Sequence, residues 1–326
     1  MNKRVVSVDF FRFLFMLQIC LWHLGKCMGI MQHGYIAVEF FFILSGYLIY
    51  KSSVKKNAKG VFNYTWDKVK RFYPEVLLTT FPAWVVCWAV LDKSPWVLFN
   101  SIFFLQNTGM YEGGVNPALW YLSVLLLGGG LIYAILHNNK HLSVTVILPL
   151  LVLMVYTYIF KENEGSFELW GTRTCFYMPL WRGMAGMSLG CLVARLHEIK
   201  LSDSILKKRR ILDCLCVMSL VGCFVVAFSD NTLDRYALFF YSIIVLSCFT
   251  EGTLVNKWFY SSAWNYLGEL SFELLLVHMP IALFLMKADD KWGLSTTVMV
   301  FSYLVSIFVS AVLLRFIYKK LCVLHK

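Results

Sequence analysis

Residues 118–136 read ALWYLSVLLLGGGLIYAIL, nineteen positions without a charged side chain. A helix needs about 20 mostly apolar residues to cross the hydrocarbon core of a bilayer, so this stretch is long enough to span one. Inside lipid the backbone must satisfy its own hydrogen bonds, which selects a helix here. The same pattern repeats in both directions. Apolar blocks predict further helices at 10–30, 35–50, 73–91, 142–160, 174–195, 211–229, 236–250, 266–287 and 294–318. Residues 96–107 (WVLFNSIFFLQN) are apolar but too short to span, and read as an interfacial or re-entrant segment. The predicted fold is all-α: a polytopic helical membrane protein with about ten transmembrane helices, organised as one integral-membrane domain over 1–326 with no separate soluble domain.

Composition agrees. Of 326 residues, 59% are hydrophobic and 15% charged, against roughly 45–50% and about 25% in soluble domains. The first apolar run follows Lys3 and Arg4 but contains Arg12, Gln18 and His23 and lacks a small-residue cleavage site. It therefore reads as the first helix of the mature protein rather than a signal peptide.

The net charge of +11 does not point to nucleic acid, because the cations gather in short connectors. Lys51, Lys55, Lys56, Lys59, Lys68, Lys70 and Arg71 fall in one, and another ends in Lys207-Lys208-Arg209-Arg210. That distribution follows the positive-inside rule and predicts both connectors and both termini to be cytoplasmic. Membrane lipids are the partners it implies. The ten cysteines lie mostly in apolar blocks, for example Cys20, Cys87, Cys216 and Cys248. Their spacing supports neither a disulfide framework nor a zinc site, and no metal is expected.

Ionisable groups at membrane depth are costly, about 2.5–3.5 kcal/mol each at a helix centre, so they mark candidate functional positions. The first helix carries Asp9, Arg12 and His23. Asp9 and Arg12, three apart, share a face and can pair. His23 lies eleven residues beyond Arg12, about three turns and about 16 Å along the same face. An imidazole titrates near neutrality, which makes His23 the candidate general base for a hydroxyl proton; the plain alternative is a histidine bonded for packing. Glu39, on the antiparallel second helix, falls at a similar depth and could orient that imidazole, or simply face water. Lys68, Lys70 and Arg71 precede Tyr73-Pro74 at the mouth of the third helix, where cations can hold donor phosphates or serve only topology. Arg182 sits in a membrane block ahead of Gly183, Gly186 and Gly190 and needs a carboxylate or a polar cavity. Trp120, Trp170 and Trp181 could stack on sugar rings, although most membrane-protein aromatics face lipid or the interface.

Taken in order, these residues resemble the bacterial acyltransferase-3 family. Asp9-x-x-Arg12 followed by His23 is similar to the family's opening. Glu39-Phe-Phe-Phe-Ile-Leu-Ser45-Gly46 resembles its second-helix signature, and Lys68-x-x-Arg71-x-x-Pro74 its basic pair before a proline. Asn116-Pro-Ala-Leu119-Trp120-Tyr-Leu122-Ser123, Arg182-x-x-x-Gly186, and Leu267-Gly268 through His278-x-Pro280 resemble its later segments. The ordered set spans nearly the whole chain.

The resemblance implies an O-acyltransferase of the bacterial inner membrane. It would move an acyl group, acetyl by preference, from acetyl-CoA or another acyl-CoA to a hydroxyl of a carbohydrate or glycolipid acceptor at the cell surface. His23 and Glu39 would be catalytic, Arg12, Lys68 and Arg71 would bind the donor, and Trp120 and Arg182 would bind the acceptor. Whether His23 acts as base or carries the acyl group is open, as is assembly into a homo-oligomer. One departure is visible: many members carry a glutamate where this chain has Leu125. Two other readings remain at the level of sequence. One is a proton-coupled carrier or flippase for a glycan or metabolite. The other is an inactive partner in an envelope-polymer assembly.

Overall fold

The structure, a computed structural model, describes residues 4–28, 32–89, 94, 96–106, 114–167, 172–173, 176–199, 209–229 and 231–324. Trp170, Lys207 and Lys208 lie outside the described residues. Helices dominate. They are α1 (Val6–Met28), α2 (Ala37–Ser53), α3 (Val61–Ala89), α4 (Val97–Ile102), α5 (Trp120–Asn138), α6 (Lys140–Glu162, with a π-helical turn at Ser143–Ile147), α7 (Met178–Glu198), α8 (Arg209–Ala227), α9 (Asp234–Phe249), α10 (Leu254–Trp258), α11 (Ser262–Trp292) and α12 (Thr296–Leu324). A two-residue antiparallel pair, Thr172–Arg173 with Phe176–Tyr177, leads into α7.

Each of the ten predicted spans is present as a long helix. The clearest difference is α3, which begins at Val61 rather than 73. Its first three turns are polar, so hydropathy does not mark them, yet they contain no helix breaker between Gly60 and Pro74. Among the described residues 96–106 the helix is the six-residue α4, with Asn100 and Ser101 buried and Trp96, Phe99 and Phe103 exposed.

Among the described residues, seven helices are long and apolar enough to cross a membrane, and α3, α7 and α9 are not among them. The chain is an all-α polytopic membrane protein. Its outer surface is apolar: Phe301, Val305, Val309, Leu313 and Phe316 form an exposed stripe along α12 at helical spacing. By contrast α7 lies inside the bundle, with Arg182, Met187, Ser188 and Cys191 buried. A helix surrounded by protein has no need of a lipid-compatible surface, which accounts for its low hydropathy.

Close contact between α2 and α7 explains two of the glycines. A Cβ on Gly46 would stand 1.8 Å from the Met187 carbonyl oxygen, and one on Gly190 would stand 1.9 Å from that of Ile43. Each glycine thus lies against the other helix's backbone, the small-residue packing expected between membrane helices. Antiparallel packing is fixed by bonds at both ends, Arg182 to Glu39 and Glu198 to Lys51.

Candidate active site

The site is built on α1 and α11, which run parallel. Near one end Gly268 abuts Asp9, leaving a Cβ there only 2.3 Å from that of Asp9. Toward the other end the rings of His23 and His278 stand 5.2 Å apart between centroids. The end of the bundle with Asp9 also holds Arg4, which bonds Asp9 and Glu269, and the 51–60 connector. We call it the basic end.

One cavity of about 230 Å³ runs between these ends. Arg12, Lys68 and Arg71 line it toward the basic end, and His23, His278, Trp120, Arg182 and Tyr35 line it at the far end. Between them the wall is apolar, from Met16, Ile19, Leu44, Leu48, Leu125 and Leu275. The structure therefore places six of the seven sequence-selected site residues around a single space. Leu125 belongs to its apolar wall.

Glu39, the seventh, has other partners than the one expected. Its side chain is fully buried; Oε1 accepts from Arg182 Nε at 2.6 Å and Oε2 accepts from Tyr156 Oη at 2.6 Å. The rings packed on His23 are instead those of Trp22 and His278. Arg182 also donates from Nη1 to the Phe167 carbonyl at 3.0 Å, while its buried Nη2 has no partner among the described residues. Arg182 lines the cavity, and a guanidinium held on two sides with one N–H left over can donate to an oxygen placed beside it. Nearby, Tyr35 Oη donates to Asp234 Oδ2 at 2.6 Å, and the Phe167 backbone N–H donates to the same oxygen at 3.1 Å. The far wall is thus a rigid polar network.

A proline positions His278. Pro280 has no N–H, so the carbonyl of Leu276, four residues earlier, loses its helical donor. Asn116 Nδ2 takes that carbonyl at 2.7 Å, while Asn116 Oδ1 accepts from the Ala118 N–H at 3.1 Å. Leaving such a buried carbonyl unmade would cost about 1–3 kcal/mol. This contact ties the start of α5, and with it Trp120, to the turn of α11 that carries His278. Sequence reading quoted both segments but gave neither Asn116 nor His278 a role. The spacing of a proline four residues after an orphaned carbonyl was the available signal, but nothing in sequence identifies the distant amide that answers it.

At the basic end Arg12 Nη1 lies 3.6 Å from Asp9 Oδ1, as the spacing predicts, although Asp9 is held more closely by Arg4 at 2.6 Å. Lys68 and Arg71, three apart on α3, share a face toward the cavity. They stand on the polar first turns of α3, within the helix rather than in a loop leading to it. Burial, and then the neighbouring Arg71, push the Lys68 ammonium down to about 8. A second cavity adjoins here, sharing Arg12 and Arg71 and lined further by Glu75, Glu273 and Arg315.

A family model described as an acyltransferase domain matches residues 5–316. The chain belongs to the acyltransferase-3 family. Comparison with curated proteins and with solved structures gives no match. The acyltransferase match covers the residues named above as lining the main cavity, from Arg12 on α1 to His278 on α11. Within this acyltransferase, the residues set apart in sequence as catalytic, donor-binding and acceptor-binding meet at one cavity, with Glu39 behind its wall holding Arg182.

Proposed function

We propose that the protein is an O-acyltransferase of the bacterial inner membrane, moving an acyl group, acetyl by preference, from acyl-CoA to a hydroxyl of an envelope carbohydrate. The observation that carries this reading is the cavity itself, which joins a cationic mouth at Arg12, Lys68 and Arg71 to a far wall holding His23. Positive-inside logic makes the basic end cytoplasmic, with both termini there. Acyl-CoA is made in the cytoplasm and carries phosphates that suit clustered cations. Its pantetheine arm is long and thin and follows the apolar wall, bringing the thioester toward His23.

At the far end Trp120 offers a ring face to a sugar, and Arg182 Nη2 donates to one of its oxygens. His23 takes the proton of the acceptor hydroxyl as its oxygen attacks the thioester carbonyl carbon. The new C–O bond forms, the C–S bond breaks, and the departing thiolate takes the proton back from His23. The products are an ester and free CoA thiol, with no net change in protons on the enzyme.

The reading is tested in membranes containing the full-length protein, supplied with labelled acetyl-CoA. Wild type transfers label to envelope glycan and His23→Ala transfers none. Equal labelling by the two would remove His23 from the reaction.

A further inference from the structure

His278 combines three features that packing does not explain. It is fully buried, it lines the cavity, and its Nε2 has no hydrogen-bond partner among the described residues. Its other nitrogen settles the tautomer. Nδ1 lies 3.0 Å from the carbonyl oxygens of both Leu274 and Leu275, which only accept, so Nδ1 is the donor. The neutral ring therefore presents Nε2 as a bare lone pair. A buried acceptor left in this state is costly, and a leucine or phenylalanine in its place would carry no such cost. The fold nevertheless fixes the ring, through the two carbonyls and through the Asn116 contact one half-turn earlier.

His23 stands beside it on the same cavity, the two ring centroids 5.2 Å apart and the ring planes tilted by 44°. This separation is about two ring radii plus one N–H···N hydrogen bond, so rotation of the His23 ring brings one of its nitrogens into reach. A general base needs such a neighbour. A bond from one nitrogen of His23 to a fixed acceptor decides which nitrogen faces the substrate. The carboxylate that sequence offered for this, Glu39, is committed to Arg182 and Tyr156.

We infer that His278 is the positioning residue for His23, accepting the N–H of its ring and thereby presenting the opposite, unprotonated nitrogen to the acceptor hydroxyl. The inference rests on the acyl-transfer reading above. As the hydroxyl proton moves to His23, the imidazolium charge is shared along the N–H···N bond to His278. The same proton then passes to the CoA thiolate. His278 keeps its own Nδ1 proton throughout, and the step needs no further reactant.

The test uses membranes containing the full-length protein, labelled acetyl-CoA as donor and the endogenous envelope glycan as acceptor. His278→Phe fills the site without an acceptor atom. It is expected to keep the KM for acetyl-CoA within about twofold while the maximal rate falls by about 10²-fold or more, the usual contribution of proton transfer. His278→Gln, whose side-chain oxygen reaches the place of Nε2, is expected to retain at least about a tenth of the rate, and the shorter His278→Asn to fall with the phenylalanine variant. A His278→Phe protein working at more than half the wild-type rate overturns the inference. So does an equal loss in the Gln and Asn variants, which also covers the case of a phenylalanine variant that does not fold. Absence of label with wild type itself overturns the acyl-transfer reading and this inference with it, an outcome distinct from either of the others.

Discussion

Glu39 Oε1 and Arg182 Nε meet at 2.6 Å, joining α2 to α7 through an ion pair whose carboxylate is fully buried. Each was conspicuous in sequence as a charge at membrane depth, and each answers the need of the other. The pair holds the Arg182 side chain, which lines the cavity together with Trp120.

Removing one member therefore leaves the other buried and unpaired, which costs about 3–5 kcal/mol. Glu39→Gln is expected to lower the thermal midpoint of the purified protein sharply and to weaken acceptor use. The double change Glu39→Gln with Arg182→Met removes both charges and is expected to recover most of the stability but none of the activity. Thermal unfolding in detergent, read beside acyl transfer, separates the two effects. A double variant as unstable as the single one contradicts the pairing.

Gly46 makes a second prediction that depends only on packing. Gly46→Ala pushes a methyl group into the Met187 carbonyl, where overpacking costs about 1–3 kcal/mol or more. Gly60→Ala meets nothing within 4 Å and is expected to leave the thermal midpoint unchanged. Equal effects of the two substitutions count against the close approach of α2 and α7.

Much of this was legible in the sequence. Apolar blocks located the ten long helices among the described residues, although α3, α7 and α9 fall short of the length or hydropathy that crossing a bilayer demands. The Arg12–His23 stripe was legible because helical periodicity alone places the two on one face. What sequence could not reveal is partnership across the bundle. Glu39 could reach either His23 or a distant arginine, and only the antiparallel register of α2 against α7 decides for Arg182. His278 was visible only as a residue near a proline. Its importance comes from α11 running parallel to α1, a relation between segments about 255 positions apart that no local pattern encodes. The early start of α3 was missed for a plainer reason, since Lys68 and Arg71 are charged and hydropathy registers only the apolar part of a helix.

Lys68 sets a pH dependence. Its ammonium is held down to about 8, so the free enzyme loses this charge as pH rises through that value. On the proposed donor-binding role, attraction for phosphates is present below about pH 8 and lost above it. The kcat/KM for acetyl-CoA, which reports the free enzyme, is expected to decline between about pH 7.5 and 9. Arginine stays charged throughout this range, so Lys68→Arg is expected to abolish the decline. A decline of the same shape in Lys68→Arg assigns it to another group.

The central claim is that this cavity passes an acyl group from CoA to a carbohydrate hydroxyl through His23. Mass spectrometry of envelope glycans from cells expressing wild type, His23→Ala or neither tests it most directly. The predicted result is a mass increment of one acetyl or other acyl group with wild type alone. An increment that persists undiminished with His23→Ala would contradict the account.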